Sequence, residues 1–164
     1  ANLRYFNPIG AHPSGLMGED PIGQSSNIFP LILNVASKEL KEIKIFGNDW
    51  NTPDGTGVRD YIHVMDVAEG HILALNYLLK NDPKIININI GTGKGYSVLE
   101  LIRTFEKVNK IKIPYRFCPR RLGEQSFVVA DNSQLKRLFN WIPQRDLRSM
   151  CKDGWKWKLN NLKK

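Results

Sequence analysis

An α/β class follows from two features of the 164-residue sequence: short strand-like runs alternate with amphipathic helical stretches, and glycine-rich turns stand at several junctions. Composition supports a packed domain. Hydrophobic residues make up 41% and charged residues 24%, a globular balance that excludes a disordered chain. A chain of this length buries about 70% of its unfolded surface on folding. The longest apolar run, residues 28–36, contains Pro30 and Asn34 and falls well short of the roughly 20 residues of a membrane span.

Each element follows from its local pattern. Residues 2–6 have strand character and run into a turn-rich loop, 7–15, which continues to Ser26 with Gly, Pro, Ser and acidic residues. Loops of that length are usually functional or mobile. A helix is predicted over 28–38, with Pro30 accommodated in its first turn and Asn27 or Ser26 at its cap. Residues 43–46 alternate as a strand, and 51–57 form another turn-rich loop. Residues 58–63 read as one short strand. A helix over 66–79 has apolar positions at Val67, Ile72, Leu75, Leu78 and Leu79. Gly70 inside it costs about 1 kcal/mol relative to alanine. Residues 85–90 form a strand and 91–96 a glycine turn, after which Ser97 and Glu100 make a capping box for a helix over 98–109. A strand near 113–117, a basic loop at 119–124, an aliphatic stretch near Val128 and helices near 133–139 and 147–159 complete the order.

The net charge of +8 is uneven. Residues 1–60 carry five basic and seven acidic side chains, residues 61–144 twelve and seven, and the last twenty seven and two. The tail, 155–164, reads as an amphipathic helix with lysines on its wet face, so the excess is read as solvated and not as a nucleic-acid patch. No basic-then-apolar secretory signal opens the chain. Two cysteines, Cys118 and Cys151, are too few for a disulfide framework and match no zinc spacing, which reads as a reduced, cytoplasmic setting. The first residue is Ala1, which reads as a fragment or a processed product.

Gly91-Thr-Gly93-Lys-Gly95 between a strand and a helix resembles a dinucleotide-binding turn, but its third glycine comes one residue early and no acidic residue ends the following strand. A tight β–α connection is the plainer reading. His12, His63 and His71 are scattered and make no metal-ligand spacing, and no Gly-x-Ser-x-Gly occurs. Arg59, two residues before Tyr61, and Arg120 and Arg121, before Gly123 and Glu124, are more informative. A guanidinium is a planar fork that matches phosphate oxygens at two points, so arginines on two loops can converge on one diphosphate. The alternative is that they are solvated.

The order of strings is specific. Residues 3–15 (LRYFNPIGAHPSG), 17–21 (MGEDP), 46–49 (FGND), 54–66 (DGTGVRDYIHVMD), 89–93 (NIGTG), 119–121 (PRR) and 155–157 (WKW) closely resemble the UDP-glucose 4-epimerase group of the extended short-chain dehydrogenase/reductase family, over essentially the whole chain. The resemblance implies that residues 1–164 are a C-terminal, substrate-binding half. Its first strand, the 85–90 strand and the 66–79 helix would complete a Rossmann sheet whose NAD-binding N-terminal portion is absent. The family's catalytic Tyr-x-x-x-Lys is absent too, since Tyr5, Tyr61, Tyr77, Tyr96 and Tyr115 are followed four residues on by Ile9, Met65, Asn81, Glu100 and Pro119. No catalytic residue is assigned, and the isolated chain is expected to be inactive.

The remaining roles also come from the resemblance. Asn7 and Asn27, with the backbone near Ile28, would hydrogen-bond the diphosphate region. Lys44 and Phe46 would border the uracil. Arg59 and Arg121 would clamp the diphosphate, with Tyr61 nearby. Glu124, where the family pattern usually has Asp, would hold the ribose. Tyr5 and Pro8 would approach the nicotinamide end of NAD. Val128 stands where a tyrosine commonly borders the hexose, and its smaller side chain implies room for UDP-N-acetylhexosamines beside UDP-glucose and UDP-galactose. The family implies a homodimer at full length, with neither nucleic acid nor membrane as partner. A related nucleotide-sugar dehydratase or decarboxylase, or a non-catalytic UDP-sugar-binding module, are the other readings. With the Rossmann portion absent, apolar faces and strand edges would be exposed, and the chain is expected to be marginally stable or to associate.

Overall fold

Short strands and longer helices alternate along the chain, and the computed structural model describes residues 1–21, 23, 25–82 and 84–162. Among these, nine strands form four small sheets. β1 (Asn2–Tyr5) runs parallel to β6 (Asn87–Ile90), with Leu3 opposite Ile88 and Tyr5 opposite Ile90. In β6 the isoleucines Ile88 and Ile90 are buried while Asn87 is exposed, the two-residue period of a strand with one covered face. β2 (Asn7–Ile9) pairs with β5 (Tyr61–His63), and β3 (Ile43–Phe46) with β8 (Tyr115–Cys118), both parallel. β4 (Val58–Arg59) lies between antiparallel β7 (Tyr96–Ser97) and parallel β9 (Phe127–Val128).

Five helices flank the sheets: α1 (Ile28–Ala36), α2 (Val64–Lys80), α3 (Val98–Asn109), α4 (Ser133–Phe139) and α5 (Leu147–Asn161). Their apolar faces build two cores. The larger joins α1, α3 and α5 around Phe29, Ile32, Leu101, Phe105 and Trp157. Phe29 and Phe105 meet edge to face at 6.4 Å, a favourable aromatic geometry. A Cβ on Gly154 would come within 2.4 Å of the Phe29 ring, so a glycine is what lets α5 lie this close. The smaller core packs Ile62, Val67, Ile86, Ile88, Ile90 and Leu135 between β6, α2 and α4.

Several expectations are corrected. The 7–15 loop contains a strand, β2. Residues 58–63 are two strands in different sheets, parted at Asp60. The 66–79 helix begins earlier, at Val64, because the His63 ring caps it by accepting from the Met65 amide at 3.1 Å. The first helix ends at Ala36, before Lys38 takes a positive φ of 67°. The 113–117 strand is displaced to Tyr115–Cys118. On α2, Ile72, Leu75 and Leu79 face away from both cores, with exposures of 59%, 54% and 76%. The tail is not a wholly wet lysine face: Lys156 Nζ donates to the Pro13 carbonyl, and Lys158 Nζ reaches Asn34 and Glu39. Lys163 and Lys164 lie outside the described residues.

Candidate functional site

The site begins at the break between β4 and β5. Asp60 is fully buried, and among the described residues its carboxylate makes no ion pair; four donors satisfy it instead. Oδ1 accepts from the Thr92 amide (2.9 Å) and hydroxyl (2.6 Å), and Oδ2 from the amides of Gly93 (2.9 Å) and Ala130 (3.2 Å). Its backbone N–H donates to Val128 O and its carbonyl accepts from the Asn7 amide. One residue thus joins β2, β9 and the glycine turn, which is how a buried carboxylate becomes tolerable. A Cβ on Gly91 would stand 2.4 Å from the Ala130 methyl and 2.7 Å from Asp60 Oδ2, so this position requires glycine. The turn's amides at Thr92 and Gly93 donate to Asp60, and that of Lys94 to Thr92 Oγ1. It connects β6 to the two-residue β7, which leads straight into α3, and its amides are taken up within the protein.

On either side of Asp60, Arg59 and Tyr61 both border one cavity of about 290 Å³. Asn7, Asn27, Ile28, Lys44, Phe46, Arg121 and Glu124 also line it, with Ser26, Leu31, Ile45, Gly57 and Val98. Strand alternation exposes Lys44 and leaves Phe46 half-buried at the cavity while Ile43 and Ile45 are buried in the core, Ile45 also bordering the cavity. Arg59 Nη1 donates to the Val58 carbonyl at 2.8 Å, which holds its guanidinium near the strand. The Arg121 guanidinium lies over the Phe46 ring at 3.8 Å and 3.6 Å from Glu124 Oε1. Three cations face one carboxylate here, and the N-terminus of α1 adds partial positive charge. The lining therefore attracts an anion carrying more than one charge.

Two side chains in this lining carry polar groups that make no bond to the elements they stand on. Asn27 is the N-cap of α1 yet makes no side-chain bond to that helix. Both it and Glu19 border the neighbouring cavity, and burial pushes the Glu19 carboxyl up, an effect the Asn27 amide opposes. The Tyr61 ring is buried, burial pushes its phenol well above the usual range, and its hydroxyl has no hydrogen-bond partner among the described residues.

A second cavity of about 500 Å³ adjoins the first through Asn27 and is mainly apolar, lined by Pro8, Ile9, Gly10, Met17, Val64, Met65 and Ala68 with His12 and Glu19. Nine of the twelve residues to which the resemblance gives a ligand or cofactor role thus surround one cavity, and Pro8 borders its neighbour. Tyr5 and Val128 line neither. Tyr5 is half exposed and its hydroxyl bonds His71 Nε2 at 2.9 Å. Val128 sits in β9 opposite Arg59. Arg120 turns away, onto Asp49 at 2.8 Å and over the Trp50 ring at 4.1 Å. Sequence reasoning missed Asp60; its signal was a carboxylate between two cavity residues in a chain whose glycine turn needed an anchor. Among the described residues no cluster of His, Cys, Asp or Glu could hold a metal ion, and no helix is long and apolar enough to cross a membrane.

The sequence profile of the NAD dependent epimerase/dehydratase family matches residues 1–91. A UDP-glucose 4-epimerase of Bacillus subtilis is 51% identical over 162 residues, covering 99% of this chain and 48% of the relative. A crystal structure of the Stenotrophomonas maltophila UDP-glucose 4-epimerase, with bound NAD and formylated UDP-arabinopyranose, superposes with a TM-score of 0.95 at 49% identity, over 98% of this chain and 48% of that one. The Bifidobacterium longum enzyme, in complex with NAD+ and UDP, gives 0.93 at 44% identity, over 98% of this chain and 47% of that one. The chain spans about half the length of the curated relatives it matches. Its strands and helices are part of an extended short-chain dehydrogenase/reductase fold, and with the profile covering more than half of its 164 residues the chain belongs to the NAD dependent epimerase/dehydratase family.

Proposed function

We propose that the chain is the UDP-sugar-binding half of an NAD-dependent UDP-glucose/UDP-galactose 4-epimerase. The observation that carries this reading is the convergence of Arg59, Arg121 and Lys44 on one cavity at the N-terminus of α1. The UDP in the Bifidobacterium longum structure and the nucleotide sugar in the Stenotrophomonas maltophila one support it. In this reading Arg59 and Arg121 grip the diphosphate, Asn7, Asn27 and the Ile28 backbone assist, Lys44 and Phe46 border the uracil, and Glu124 holds the ribose.

Epimerisation at C4 requires that the sugar lose hydrogen, turn over as a 4-keto hexose and regain hydrogen on its other face. Tight polar contacts to the hexose would resist that turn. Binding energy placed on the UDP handle does not. NAD, when bound, supplies the hydride acceptor and donor. Toward that cofactor the described residues fit only in part: the cavity bordered by Pro8 offers an apolar wall suited to a nicotinamide ring, while Tyr5, the other expected contact, lies outside it and the glycine turn has its amides engaged by Asp60 and Thr92. The chain would form a homodimer as part of the full-length enzyme.

Calorimetric titration with UDP-glucose, UDP and uridine tests the reading. UDP-glucose and UDP should bind alike, and uridine at least about tenfold more weakly, because a charge-assisted hydrogen bond contributes about 1.5–3 kcal/mol. Equal affinity for uridine would overturn it. Acceptance of UDP-N-acetylglucosamine rests on the resemblance alone, which sets the small Val128 where a tyrosine commonly borders the hexose, since Val128 lines neither cavity. Steady-state kinetics of the full-length enzyme should then show turnover of that sugar, and its rejection unless Val128 is made smaller would refute the point.

A further inference from the structure

Arg121 belongs to a stretch with little packing to hold it. The 119–124 loop follows β8, Leu122 is fully exposed, and a Cβ on Gly123 would meet nothing within 4 Å. Within the loop the Glu124 amide donates to the Arg121 carbonyl at 3.3 Å. Surface loops without packing are mobile, and a side chain carried on one must be ordered when a ligand binds. Arg120 supplies a tether. Its Nε donates to Asp49 Oδ1 at 2.8 Å and its Nη2 to the Asp49 carbonyl, while its guanidinium lies over the Trp50 ring at 4.1 Å. The Trp50 indole N–H donates in turn to the carbonyl of Phe46, whose own ring carries the Arg121 guanidinium. Two adjacent arginines of one loop are thus laid on two aromatic rings of one turn, 46–50, and the Gly47 amide closes the base on the Cys118 carbonyl at 2.8 Å. A planar guanidinium stacked on a ring and forked onto an acceptor is fixed in orientation, as an ammonium group is not. Arg120 does not line the cavity, and its pair with Asp49 is exposed on both sides (42% and 67%), so it adds little to the stability of the fold.

We infer that Arg120 and Asp49 form a clasp that holds the 119–124 loop against the 46–50 turn, which makes Arg120 a positioning residue acting on the ligand through Arg121. The inference rests on the reading of the cavity as a diphosphate site. With the loop ordered before UDP arrives, less ordering is left for binding to accomplish. The signs of the two charges separate this role from a plain electrostatic one. If Arg120 acted only as one more cation near an anionic ligand, Asp49 would oppose it, and Asp49→Asn would tighten binding. In a clasp the carboxylate and the guanidinium serve the same end, so loss of either weakens binding.

The test is calorimetric titration of UDP into wild type, Arg120→Met, Asp49→Asn, Arg121→Met and the double variant Arg120→Met/Arg121→Met, with urea unfolding of each free protein. The expected result is a loss of about fivefold in both Arg120→Met and Asp49→Asn, with urea midpoints close to that of wild type. The double variant should bind within about twofold of Arg121→Met, because once the guanidinium is gone there is nothing left to position. Asp49→Asn or Arg120→Met that binds UDP as tightly as wild type, or more tightly, overturns the inference and leaves the diphosphate site standing. So do losses that simply multiply in the double variant. A urea midpoint well below wild type in Arg120→Met or Asp49→Asn also overturns it, since the contact would then serve the fold. Wild type that does not bind UDP, or Arg121→Met that binds it like wild type, overturns the diphosphate site itself, and the inference with it.

Discussion

At the residue scale, Arg59 and Arg121 reach one cavity from segments 62 positions apart, and each is held there by a local contact, the Val58 carbonyl for one and the Phe46 ring for the other. The Arg121–Glu124 pair is half exposed and contributes little to stability. Arg59→Met and Arg121→Met should therefore each lower UDP affinity by about tenfold or more, while urea midpoints move little; an unchanged affinity in either variant contradicts the clamp. His63 gives a pH signature. Burial lowers its pKa, and Asp153 at 3.3 Å, with Asp66, opposes this while Arg145 acts with burial. Because the folded pKa lies below the unfolded value of about 6.5, the unfolded chain binds the extra proton, so stability is full above about pH 6.5 and is lost as pH falls toward the folded value. Denaturant unfolding should show this slope in wild type and a flatter one in His63→Asn; identical slopes would refute the assignment.

At the element scale, the Ser97 hydroxyl accepts from the Glu100 amide at 3.0 Å while Glu100 Oε2 accepts from the Ser97 amide at 2.7 Å. Ser97 Oγ also donates to Asp54, tying α3 to the 51–57 loop. Ser97→Ala should cost about 1–2 kcal/mol in denaturant unfolding, the upper part of the range for a lost cap, and a cost near zero would mean the box is idle. This cap was readable because its residues are three apart. So were α1, α3, α5 and β3, whose apolar periods are local. What escaped the sequence depends on distant partners. β2 is recognisable only because Asn7 has Tyr61 to pair with, and β7 and β9 are two residues each, ordered by β4 between them. The single strand expected over 58–63 fails because Asp60 is claimed by a turn some thirty residues away. The cavity residues were legible through resemblance, whereas the orphan Tyr61 hydroxyl and the Asp60 anchor needed coordinates.

At the scale of the whole molecule, α2 carries Ile72, Leu75 and Leu79 on an exposed face, and Ile85 beyond it is 82% exposed. Contiguous apolar area of this kind seeks cover. Sedimentation of the chain should show concentration-dependent association that Ile72→Glu with Leu75→Lys abolishes; a sharp monomeric species at all concentrations would contradict it. The two cores lie on either side of β5, and the cavity opens where the larger core meets β3 and β4, so Lys44 and Arg59 stand on strands while Arg121 reaches in from the 119–124 loop, over the Phe46 ring. That placement makes the central claim directly visible. A crystal structure of the chain with UDP should show the diphosphate between the Arg59 and Arg121 guanidinium groups, at hydrogen-bond distance from both. UDP bound elsewhere, or with its phosphates turned to solvent away from Arg59 and Arg121, would contradict the account.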